Sequence, residues 1–250
     1  NLPDWEGAEE PWQFLASCDE FYHCVIKRDK LSTGLPVAID ATCSGLQILA
    51  GLAKDKSTAD LVNVTNSDKP QDAYKVIAED SKQNVPHYVR PHWDRKCTKR
   101  TVMTIPYNAK PFSNRSYIRD ALKDKGIDID KDDLTIIVQA VRDSMHTIVP
   151  GPMAVMKWIE DEVSKAVKRG VNELTWTTPS GFIVSQKIFK KQWERVVLRV
   201  MGKCNMRVAV GDTDEVDKAR HKAATAPNLI HSLDASLLCL SVLNFHNPIA

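Results

Sequence analysis

Arg95, Lys99, Met103 and Tyr107 recur at steps of four. On an α-helix each such step turns about 40° past a full circle, so the four side chains share one slowly drifting stripe. Lys99 and Tyr107 would lie roughly 12 Å apart along that helix, about the length of a nucleotide from triphosphate to sugar. The planar fork of Arg95 suits phosphate oxygens, and Lys99 can serve as a point charge or a proton donor. The competing reading of the segment "RKCTKRTVMTIPYNAK" is a solvated cationic face with Tyr107 packed in the core.

Two further groups could do chemistry. Asp40 closes the apolar run "GLPVAID". A carboxylate at the end of a buried strand needs a cation or donors to offset its burial. With the Ala41 carbonyl beside it, it offers the hard oxygens that Mg²⁺ takes. Asp40 could equally cap the helix that follows. His231, in "APNLIHSLDASLL", stands three residues before Asp234 on the same helical face. A lone histidine there is more often a satisfied structural residue than a ligand.

The elements that must position these groups follow from periodicity and breakers. Residues 11–27 and 44–55 space their apolar groups as amphipathic helices, and 34–40 reads as a buried strand. Residues 69–83 form a helix with proline near its first turn. The basic segment, the segment from Pro111 to Gly126, and residues 133–147 and 152–169 are further helices. The last pair is separated by Pro150-Gly151-Pro152. Residues 173–186 alternate around Pro179-Ser180-Gly181 as a hairpin, and 195–210 read as a strand. Pro227 falls inside the helical pattern of 216–245, which predicts a helix restarting there. The fold class is helix-rich α/β, of the α+β kind.

The chain has 250 residues, 43% of them hydrophobic, enough to bury a sizeable core. Its formal net charge is only +2, but the distribution is uneven. From Lys82 to Arg115 eight Lys or Arg face the single Asp94, which suggests a face for phosphates. Six cysteines form no C-x-x-C pair, so reduced thiols are expected, with Cys43, Cys97 and Cys239 half-buried. No apolar run reaches the ~20 residues of a membrane span. The expected setting is intracellular.

Taken together, "DATCSGLQ", "RKCTKRTVMTIPY" and "APNLIHSLDAS" resemble, in order and spacing, the phage-type single-subunit RNA polymerases, which include the mitochondrial enzymes. "PWQFLA", "LPVAID", "DAYKVIA" and "WTTPSGF" are similar as well, so the resemblance runs from Pro11 to Ala250. It implies a right-hand polymerase cut short at both ends. Residues 1–68 would be the first part of the palm, 69–230 the fingers, and 231–250 a second part of the palm. It implies DNA-directed RNA synthesis by two Mg²⁺ ions on ribonucleoside triphosphates, with DNA template and RNA product as partners, no membrane and no obligate protein partner. Host cytoplasm is the implied compartment for a phage enzyme, and an organellar origin stays open.

By the same resemblance Asp40 and the Ala41 carbonyl hold metal, and Arg95 and Lys99 grip the triphosphate, with Lys99 as general acid. Met103 lies on their stripe. Tyr107, assisted by His231, senses the ribose 2′-hydroxyl. Gly45 stands where related DNA polymerases carry a glutamate that crowds this hydroxyl, which points to ribonucleotides. The chain departs from the family in having Asn108 where glycine is usual, and Pro106 and Ala41. Pro106 predicts a helix ending a residue or two early, and Asn108 can still supply its left-handed end. The second metal-binding aspartate of the family would fall just past "NFHNPIA", so the resemblance implies that these 250 residues are inactive alone. The alternatives are a catalytically dead relative, a nucleic-acid-binding module, or a DNA polymerase of the same architecture.

Overall fold

The computed structural model describes residues 5–36, 41–199 and 204–245. They fall into two compact units, Asn1–Ala41 with Phe245–Ala250, and Thr42–Asn244.

The smaller unit is built on helix α1 (Pro11–Phe21), which has proline in its first turn. It runs on as a wider π-helical turn over Tyr22–Lys27 and stops at Arg28 with φ 58°, so the helix expected over 11–27 is present. The Trp5 and Trp12 rings meet at 5.1 Å, and Lys30 pairs with Glu20 at 3.0 Å. Of the strand expected over 34–40, Gly34–Pro36 are irregular, and Val37, Ala38, Ile39 and Asp40 lie outside the described residues.

The larger unit holds α2 (Ser44–Ala53), α3 (Lys56–Leu61), α4 (Ala73–Ser81), α5 (Arg95–Thr104), α6 (Pro111–Lys123), α7 (Lys131–Ile148), α8 (Pro150–Lys168) and α9 (Lys218–Asn244). Two antiparallel pairs of strands complete it, β1 (Leu174–Thr177) with β2 (Ile183–Gln186), and β3 (Phe189–Leu198) with β4 (Cys204–Val216). The fold is therefore helix-rich α+β. Leu134, Ile137, Val141 and Met145 follow one face of α7 and are wholly buried with Ile77 of α4 and Val102 of α5. Helical spacing of apolar residues thus produces the core that carries α5.

Four elements differ from expectation, each for a local reason. Helix α4 starts at Ala73, not near Pro70, because the Asp72 carboxylate accepts from the Lys75 N–H and fixes the N-cap. Pro150-Gly151-Pro152 opens α8 instead of separating two helices, since proline fits a first turn. The strand expected over 195–210 is two strands of a ribbon, and residues 200–203 between them lie outside the described residues. Helix α9 passes through Pro227 without restarting. Proline 227 cannot donate to the Ala223 carbonyl, but the Asn108 side-chain amide does so at 2.9 Å.

Helix α9 is also long and apolar enough, by length and composition, to cross a membrane. That corrects the expectation of no such run. Asn228, His231 and Asp234 break its apolar pattern, and its first half packs on α8 through Ala226 against Ile159 and Val163. The short hairpin docks on α9 by polar contacts. Gln186 Nε2 reaches His221 Nδ1 at 3.0 Å and Thr225 Oγ1 at 2.9 Å, and Trp176 Nε1 donates to Ser232 at 2.9 Å. These bonds set the rotation of α9, and hence which residues it turns toward α2. All six cysteines are free, with Cys43 and Cys97 buried but Cys239 exposed.

Candidate functional site

The stripe on α5 forms as its spacing predicts. Cys97, Thr98, Thr101 and Val102 are buried on one face, and Arg95, Lys99 and Met103 are exposed on the other. Asp94 caps the helix by accepting from the N–H groups of Lys96 and Cys97. The Thr98 hydroxyl donates to the Tyr74 carbonyl at 3.0 Å and ties α5 to α4. Arg95 Nε donates to Asp72 at 2.5 Å, and its guanidinium lies 5.2 Å from the centre of the Tyr74 ring. That contact holds the arm while leaving its terminal amino groups without a hydrogen bond among the described residues. Lys99 makes no ion pair among them.

Helix α5 ends at Thr104 and tightens to a 3₁₀ turn over Ile105–Tyr107, closed by Asn108 at φ 61°. The early end follows from Pro106, and asparagine tolerates the left-handed closing position. Asn108 does more than close the helix. Its side-chain amide also donates to Glu160 of α8 at 3.0 Å, and its side-chain oxygen accepts from Lys110 at 2.6 Å. One residue thereby joins the end of α5 to α8 and α9.

Tyr107 sits on a small apolar platform of Leu49, Met156 and Ile230, contributed by α2, α8 and α9. Its ring stacks on His231 with centroids 4.5 Å apart and planes 18° from parallel. His231 is exposed, and Tyr107 half-buried. The phenolic oxygen lies 3.2 Å from Ser44 Oγ, and Ser44 donates to Asp234 Oδ2 at 3.4 Å. A Cβ at Gly45 would come within 2.9 Å of the Pro106 Cβ and 3.2 Å of the Tyr107 hydroxyl. The room at Gly45 is thus taken up by Pro106 and Tyr107 themselves.

The structure therefore brings together Gly45, Tyr107 and His231, with Arg95, Lys99 and Met103 along the helix leading to them. Ala41 is exposed and belongs to the smaller unit, and Asp40 lies outside the described residues. Among the described residues no three His, Cys, Asp or Glu side chains gather to hold a metal ion. Sequence reasoning missed Ser44, whose partners Tyr107 and Asp234 lie far from it in the chain. It missed the tie made by Asn108 as well.

The sequence profile of the DNA-dependent RNA polymerases matches residues 2–248. The chain belongs to the phage-type DNA-dependent RNA polymerase family. The mitochondrial DNA-directed RNA polymerase of Mus musculus is 29% identical over 96% of this chain and 21% of its own length. DNA-directed RNA polymerase 1, mitochondrial, of Arabidopsis thaliana is 28% identical over 96% and 26%. The DNA-directed RNA polymerase of Enterobacteria phage K11 is 25% identical over 96% and 33%. The chain thus spans about a fifth to a third of the length of these polymerases.

Proposed function

We propose that this chain carries the residues that grip and select the incoming ribonucleoside triphosphate in DNA-directed RNA synthesis. The observation that carries the reading is the Tyr107–His231 stack at the end of an exposed Arg95–Lys99–Met103 stripe. The arrangement has cations where a triphosphate needs them and an aromatic, hydroxyl-bearing surface where a base and sugar would lie. In this reading residues 1–68 and 231–250 belong to the palm and 69–230 to the fingers. Arg95 holds phosphate through its free amino groups, Lys99 neutralises and protonates the departing pyrophosphate, and Tyr107 with His231 reads the ribose. Lys99 is the general acid.

Asp40 and the Ala41 carbonyl are hard oxygen donors of the kind that Mg²⁺ prefers, and in this proposal they would hold it. The bound ions would stabilise charge on the attacking and leaving oxygens. The DNA partner has a surface to meet in the β3–β4 ribbon. There Arg195 lies directly opposite Arg207, and Arg207 stacks over Trp193 at 5.6 Å. Like charges placed opposite each other are unfavourable unless an anion lies between or beside them.

The test is equilibrium binding of ATP and 2′-deoxyATP to the chain with Mg²⁺. The expected result is Mg²⁺-dependent binding that prefers ATP and weakens about tenfold or more in Lys99→Ala, as loss of a charge-assisted contact should. Tyr107→Phe should retain binding but lose most of the sugar preference. Binding of duplex DNA with no nucleotide binding would instead favour a nucleic-acid-binding module.

A further inference from the structure

Ser44 opens α2, directly after Cys43, whose left-handed backbone (φ 59°) turns the chain into the helix. Its hydroxyl stands between Tyr107 and Asp234, both in hydrogen-bond reach. A serine has one proton to give, and an ionised carboxylate can only accept. Shared between a carboxylate and a phenol, the Ser44 proton is drawn to the carboxylate, the stronger acceptor, which makes the contact with Tyr107 a bond donated by the phenol. The Tyr107 proton is then committed inward, and its oxygen has only lone pairs left to offer outward. Tyr107 has little freedom to turn away, because its ring is stacked on His231 and backed by Gly45 at close range.

We propose that Ser44 is a positioning residue that sets sugar specificity. Backed by Asp234, it fixes Tyr107 as a hydrogen-bond acceptor, so the site favours a ligand that presents a donating hydroxyl there. A ribose 2′-hydroxyl is such a donor and a deoxyribose has none. The inference rests on the proposed nucleotide site and adds the atoms that would give that site its polarity. Nothing in the motif spacing separates Ser44 from an ordinary first-turn serine. Only the geometry does.

The experiment measures the ratio of dissociation constants for 2′-deoxyATP and ATP on the chain, in four variants. Ser44→Ala is expected to lower the ratio about fivefold, the worth of one neutral hydrogen bond, and Ser44→Thr to keep it. In a Tyr107→Phe background Ser44→Ala should change nothing further, because Ser44 acts through the phenol. A merely structural serine would weaken binding of both nucleotides equally in either background. Should Ser44→Ala fail to fold, Asp234→Ala is read instead; it frees Ser44 to donate to Tyr107 and should move the ratio the same way. An unchanged ratio in Ser44→Ala or Asp234→Ala, with a ratio that still falls in Tyr107→Phe, overturns the role of Ser44 alone. A chain that shows no preference for ATP to begin with overturns the nucleotide site on which it rests.

Discussion

The junction around Tyr107 and the β3–β4 ribbon are built on opposite terms. At the junction four helical segments converge on one ring, and hydrogen bonds tie them together: Tyr107 with Ser44, Ser44 with Asp234, Asn108 with Glu160 and Ala223. In the ribbon almost every residue is exposed on both faces, including Trp193, Val196, Met206 and Val208. The junction can hold a small ligand in a fixed pose. The ribbon has backbone pairing but almost no burial, so its side chains stay available to a macromolecule. A preorganised site and an adaptable surface thus occur within a single unit of fold.

Glycine substitutions give the largest expected contrast between the two. Gly45→Val places branched carbon where even a single Cβ would meet the Pro106 Cβ at 2.9 Å, and the proline ring cannot turn aside. Overpacking of this kind should cost about 2–3 kcal/mol and displace Tyr107. At Gly211 of β4 a Cβ meets nothing within 4 Å, so Gly211→Val should be neutral or stabilise by a few tenths of a kcal/mol. Denaturant melts of the two variants decide the matter. Equal losses would mean that the junction is not tightly packed.

Asn108→Gly tests the polar side of the same junction. Glycine relieves the left-handed backbone at φ 61°, a gain of up to about 1 kcal/mol. It also removes the donor to the Ala223 carbonyl, which Pro227 has already left without its helical partner. A fully buried carbonyl left unpaired costs about 1–3 kcal/mol; Ala223 is half-buried, so the net change should be destabilising by roughly 0.5–1 kcal/mol. Faster amide exchange around residues 223–227 should accompany it. A stabilised variant would show that water replaces the side chain without loss.

These two sites also mark what could be read in the sequence. The stripe of Arg95, Lys99 and Met103 was legible because helical periodicity and a polar face suffice to place it. The early stop at Pro106 and the left-handed Asn108 were legible because both are local backbone preferences. The continuity of α9 through Pro227 was not, because it depends on a side chain more than a hundred residues away. Ser44 was invisible for the same reason, since its partners lie on α9 and at the end of α5. The second strand of the ribbon was missed because exposed strands lack the alternating burial that marks a strand in sequence.

Beneath the junction, Asp55 joins α3 to the first turn of α8, the helix that supplies Met156 and Glu160. Burial alone would push its carboxyl upward, but bonds from the Thr58 and Ser57 hydroxyls and from the Thr58 and Gly151 N–H groups hold it down to about 2. A depressed carboxylate stabilises the fold fully above its unfolded value near 4, and that contribution is lost as pH falls from about 4 through 2. With solvent screening of this half-buried group the amount is roughly 1 kcal/mol. Asp55→Asn should flatten that part of the stability–pH curve. A curve unchanged by Asp55→Asn would remove Asp55 as an anchor of α8.

The smallest expected effect on stability, and the one most informative about function, lies on the ribbon. Arg195→Glu turns the like-charged pair with Arg207 into an opposite-charged one, directly across the strands. The ribbon should gain about 0.2–0.5 kcal/mol, seen as slower amide exchange in β3 and β4. Duplex DNA binding should weaken at the same time, and its salt dependence should become shallower by about one unit in the log–log slope for each lost phosphate contact. Gaining fold stability while losing binding is the signature of a surface kept unfavourable for a partner's sake. If the variant binds DNA as well as the parent chain, Arg195 is a solvated charge and its face of the ribbon takes no part in binding DNA.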